Sequence, residues 1–147
     1  MPTPQESAQA QFDELSFYTL AHGDPQFIHQ NVVDAFAAQH ADETTKPIRI
    51  VFALVGLYLT LEHGYTGREV QRIHMQLGRR RKDWPRPQLP IQRGNITVAD
   101  VLKASPGPAR DAAIQSWCAA VWQPYKPNRP LIRGLLETEL KLKLRNS

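Results

Sequence analysis

The chain has 147 residues, 41% of them hydrophobic and 22% charged, with a formal net charge of +4. That length is ordinary for one domain, and it predicts a single helical domain over 1–147 that folds without disulfide or metal support. The lone cysteine, Cys118, excludes an internal disulfide and any Cys-based zinc finger. The start, MPTPQESAQAQ, lacks the basic and apolar stretches of a signal peptide. The longest uncharged apolar run, Ile50–Leu61, is 12 residues, against the ~20 needed to span a bilayer. The expectation is a cytoplasmic domain with no membrane partner.

Charge is segregated along the chain. All 18 Lys and Arg lie beyond Thr45, whereas seven acids, from Glu6 to Glu43, precede it. The two halves can neutralise each other within a monomer or between subunits, so the basic excess does not by itself call for nucleic acid. A homo-oligomer or a protein partner fits this pattern better.

In chain order, the first helix is expected from about Glu6 to His22, with Phe12, Leu15 and Leu20 inward and Gly23 as the stop. Asp24-Pro25 reads as the N-cap and first position of a second helix, whose core stripe is Ile28, Val32, Ala35, Phe36 and Gln39. Pro47 opens a third helix over about 47–63. Its middle, IVFALVGLYLTL, is apolar on every face and therefore central to the fold. Gly64 is its expected C-terminal cap. Thr66-Gly-Arg-Glu69 has capping-box spacing and starts a fourth helix with Val70, Ile73, His74 and Leu77 inward. Trp84-Pro85, Pro87 and Pro90 break the chain into an irregular segment whose Trp84, Leu89 and Ile91 are expected inward. Thr97 caps a short helix. Ile114, Trp117, Cys118, Val121 and Trp122 then form a helical stripe expected to end at Pro124. Leu131, Ile132, Leu135, Leu136 and Leu140 build a terminal amphipathic helix. The fold class is all-α: an irregular bundle of about six helices around the central apolar one.

Catalytic signatures are sparse. No HExxH, GxSxG, P-loop or GxGxxG occurs, and no two histidines stand three or four apart, so no metal set and no cofactor are expected. His29 and His40 share a helix face, but 11 residues is about 16 Å of rise, too far for one ion. Cys118, on a core-facing stripe, reads as a small buried hydrophobe. His74 interrupts an apolar stripe and is expected to face the third helix near Gly56, where a glycine leaves room for an imidazole. Asp34 lies off the core stripe and is expected to accept hydrogen bonds from a cation or backbone N–H, holding neighbouring segments together. The candidate catalytic residues are therefore His29, Asp34 and His74. Candidate ligand-binding residues are Gln39 and His40, together with Arg79, Arg80, Arg81 and Trp84 of the basic segment. That segment also reads as a dipole-matched helix end followed by a packed loop, and this reading disfavours nucleic acid as the partner.

Ile28–Asp42, IHQNVVDAFAAQHAD, resembles the signature of a family of small bacterial proteins classed as a domain of unknown function. That pattern runs roughly His-Gln-x-x-Val-Asp-Ala-(Tyr/Phe)-Ala-x-Gln-His, matched by His29, Gln30, Val33 to Ala37, Gln39 and His40. LVGLYLTLEHG, RGNITVADVL and the tryptophans of IQSWCAAVW echo it further along. The resemblance implies a bacterial cytosolic setting and supplies no activity; the Cys-x-x-Cys pair of some relatives is missing here. Two functions stay open: a non-catalytic binding or interaction module, favoured by the missing catalytic signatures, and a small-ligand or metal-dependent enzyme using the second helix and His74. Convergence of His29, Asp34 or His74 on one pocket would favour the second.

Overall fold

The computed structural model describes residues 3–144. Among them are seven α-helices and no strand: α1 (Pro4–Ala21), α2 (His29–His40), α3 (Pro47–His63), α4 (Gly67–Arg80), α5 (Val98–Lys103), α6 (Pro108–Tyr125) and α7 (Arg129–Leu140). The all-α reading holds, and the seven helices answer to the seven segments named from the sequence, whose overall count was put at about six. A single 3-10 turn, Lys126–Asn128, joins α6 to α7. No described helix is long and apolar enough to cross a membrane.

α3 is the axis. Every residue from Ile50 to Leu59 is buried except Phe52, and α2, α4, α6 and α7 all pack on it. Its ends are set locally: Pro47 occupies the first turn and Gly64, at φ +70°, closes the last. Three helices carry a reciprocal side-chain cap: Thr3 with Glu6, Thr66 with Glu69, and Thr97 with Asp100. In each, the threonine hydroxyl takes an orphan N–H of the first turn while the acid takes the N–H of the cap. The stripe of α6 is buried as expected, and so are Ile132, Leu135 and Leu136 of α7.

Several local expectations need correction. α2 begins at His29, not beside Asp24-Pro25. The Asp24 carboxylate does cap, but it caps a tight turn, accepting the N–H groups of Gln26 (2.9 Å) and Ile28 (2.7 Å). Phe27 follows at φ +60°, a strained conformation for a bulky residue. It is held by its neighbours: Arg68 lies over its ring, the Arg68 N–H bonds the Gln26 carbonyl, and Gly67 lets the Phe27 carbonyl come close. A Cβ on Gly67 would sit 1.9 Å from that oxygen. Leu20, expected inward, is 55% exposed, and Ile91 stands fully in solvent, while Trp84 and Leu89 do pack on the core. α6 runs through Pro124 instead of stopping there. Proline cannot donate to the carbonyl of Ala120, and Gly94 of the irregular segment packs directly on that carbonyl.

Candidate functional site

Asp34 is the anomaly of the structure. It sits mid-α2, 3% exposed, with its carboxyl against the Gly56 face of α3. A Cβ on Gly56 would lie 1.8 Å from Asp34 Oδ2 and 2.5 Å from Cγ, so the missing side chain of Gly56 is the space the carboxyl occupies. The room at Gly56 therefore serves Asp34, which overturns the expectation that His74 would use it. Nor does Asp34 tie down a cation or a backbone N–H. Among the described residues its carboxyl has one hydrogen bond, from the Gln30 side-chain amide to Oδ1 (3.1 Å), and Oδ2 has no partner. Burial pushes the carboxyl well above its usual range, against a small opposing effect from Gln30. Oδ1 accepts from Gln30, so a proton held by this carboxyl sits on Oδ2.

His74 projects from α4 onto the same stretch of α3. Its Nε2 bonds the carbonyl of Phe52 (2.7 Å), one helical turn from Gly56. A carbonyl only accepts, so Nε2 carries the hydrogen and Nδ1 of the neutral ring is left as an acceptor. Burial holds its pKa down at about 4, although the Phe52 bond works the other way. The imidazole stacks on the Phe52 ring (centroids 4.7 Å, interplanar angle 10°), and Trp84 meets Phe52 edge-on at 5.3 Å.

Asp34 and His74 line one pocket of about 270 Å³ between α2, α3 and α4. Its other walls are Gln30, Val33, Ala37, Ile48, Phe52 and Ala53, with Arg49 exposed beside it. The volume lies just under the ~300–1,000 Å³ of drug-sized sites, so it suits a smaller molecule. No hydroxyl or thiol side chain lines it. Among the described residues, no three His, Cys, Asp or Glu side chains gather to hold a metal ion. A larger cavity, about 670 Å³, opens beside the start of α2, but several of its polar groups already serve one another. Asp24 caps its turn, Thr60 donates to Asn31 (3.3 Å), and Tyr18 donates to Asp111 (2.9 Å).

The other sequence candidates fall elsewhere. His29 Nδ1 pairs with the Thr19 hydroxyl of α1 (3.0 Å), and burial lowers its pKa; it does not join Asp34 and His74 in their pocket. Gln39 is a three-way clamp: Nε2 donates to the carbonyls of Arg93 (3.2 Å) and Ile96 (2.7 Å), while Oε1 accepts from Trp117 Nε1 (3.0 Å). The His40 ring lies tilted against Phe36 (centroids 4.4 Å, interplanar angle 39°), and partial burial followed by the Arg93 charge lowers its pKa. Arg79 and Arg80 are exposed at the end of α4; Arg81 pairs with Glu139 of α7 (2.8 Å). Trp84 is half-buried and meets Phe52 at a steep angle on the core side of the segment. Sequence reasoning missed Arg49 and Phe52 as neighbours of the site, and it noted Gln30 only as part of a signature. The Gln30–Asp34 spacing of four was the available signal, since it places both on one helix face.

No curated protein and no solved structure matches this chain. A family model, described as a family of unknown function (DUF5946), matches residues 3–126, which span α1 to α6 and contain the whole Asp34–His74 pocket. The chain belongs to this family of unknown function, DUF5946.

Proposed function

We propose that this protein is a small-molecule-binding module whose site is the pocket between α2, α3 and α4. One observation carries the reading: a fully buried carboxyl with an unpartnered oxygen lines an apolar pocket beside a neutral histidine. A buried polar group left without a partner costs about 1–3 kcal/mol, and its place against a pocket supports a ligand site there. Gln30 and His74 offer acceptor atoms beside the Asp34 carboxyl, while Val33, Ala37, Ile48 and Ala53 offer apolar contact. Such a few polar groups on an apolar wall orient a ligand. Binding is the claim and turnover is not part of it: the pocket presents no hydroxyl or thiol nucleophile. A bacterial cytosolic setting accords with the family resemblance, and self-association accords with the charge segregation.

The test is a heteronuclear NMR screen of the full chain against small acids, amides and phenols. The reading expects some of them to shift the amides of Gln30, Asp34, Phe52 and Ala53 together. Ala37→Phe, which fills the pocket from α2, should abolish those shifts while leaving the helical spectrum intact. Shifts that survive in folded Ala37→Phe, or an absence of shifts at these residues throughout the set, would refute it.

A further inference from the structure

We infer that the occupant is a small organic anion, with an apolar body seated against Val33, Ala37, Phe52 and Ala53 and its charge turned toward Arg49. This rests on the reading of the pocket as a ligand site. The apolar walls set the body and the charges around them set the head group. Among the three ionisable side chains lining the pocket, Arg49 is the exposed cation; burial raises the Asp34 carboxyl well above its usual range and lowers the His74 imidazole, so in both cases it works against the charged form.

Arg49 is also uncommitted. Arg81 and Arg129 pair with Glu139 and Glu62, and Arg93 and Arg110 are spent on backbone carbonyls. Arg49 has neither an ion pair nor a side-chain hydrogen bond among the described residues, although it stands at a pocket. A guanidinium binds carboxylate-like groups through paired N–H donors. A cationic ligand would meet Arg49 without a carboxylate to offset it. A neutral one would use the walls but forgo the charge.

Titration of the full chain at neutral pH with benzoate, benzamide and benzylamine, followed by NMR, separates the possibilities. Benzoate should shift the amides of Gln30, Asp34, Phe52 and Ala53 and bind at least about tenfold more tightly than benzamide, the worth of one charge-assisted pair. Arg49→Ala, at an exposed and unpartnered position, should bring benzoate down to the benzamide level, whereas Arg79→Ala should leave it unchanged. Equal binding of benzoate and benzamide in the pocket would overturn the anion preference while leaving the ligand site standing. Benzoate shifts confined to the Arg79–Arg86 surface would overturn the anion preference as well. If none of the three probes perturbs the pocket, the anion inference fails, and the broader screen then decides whether the ligand site fails with it.

Discussion

Asp34→Asn replaces the protonated carboxyl by an amide of nearly the same shape, and it isolates the energetic consequence of burying an acid. In the wild type the folded state keeps a proton on Asp34 at pH values where the unfolded chain has released it. The folded pKa is raised, so this group's contribution is fully present below the unfolded value of about 3.9 and is lost as pH rises toward the folded value. The loss is about 1.4 kcal/mol per pH unit across that window. Asparagine has nothing to titrate. The two proteins should therefore have similar stability near pH 4, and the variant should gain on the wild type by about 1.4 kcal/mol for each pH unit above it. The gain levels off once Asp34 ionises in the folded state. Urea denaturation at half-unit steps from pH 4 to 8 measures this directly, provided the slope with urea is the same in both proteins. A stability difference that does not change with pH would refute the buried, protonated Asp34, as would an Asp34→Asn variant that is destabilised throughout.

His74 titrates with the opposite sign. Its folded pKa of about 4 lies below the usual 6.5, so its stabilisation is present above 6.5 and lost as pH falls toward 4. Asp34→Asn should therefore unmask a loss of about 3 kcal/mol between pH 6.5 and 4, which His74→Phe in the same background should remove. Gly56→Ala should cost about 1–3 kcal/mol in denaturant midpoint, because its Cβ meets Asp34, and combining it with Asp34→Ala should cost less than the two singly summed. Gln39→Leu leaves two carbonyls and the Trp117 N–H unpaired and should cost about 1–3 kcal/mol, with no effect on ligand shifts in the Asp34 pocket.

What the sequence made legible was the part governed by local rules. The spacing Thr66-x-x-Glu69, the uniformly apolar Ile50–Leu61 run and the Ile114–Trp122 stripe each admit one simple reading, and each holds in the structure. Asp34 defeated the same logic because α2 is not a surface helix. It is packed by α1, α3, α4 and α6, so Asn31, Asp34 and Ala38 are buried in addition to the apolar stripe. An amphipathic reading assigns one buried face, and a helix enclosed on several sides breaks that assumption. The place of Gly56 was likewise ambiguous, since a glycine on a central helix accommodates whichever partner the crossing brings. That partner is Asp34 at Gly56 and His74 one turn away at Phe52. Gln39 looked like a ligand contact because its three bonds reach residues 54 to 78 positions distant, beyond any local pattern.

The central claim is that the Asp34–His74 pocket takes a small ligand, and a crystal structure of the chain grown with the mixed set of small acids, amides and phenols tests it most directly. The account predicts a bound molecule between α2, α3 and α4, with a polar atom within hydrogen-bond distance of Gln30, His74 or Arg49. A pocket closed by its own side chains, with compounds found only on the outer surface, would contradict it.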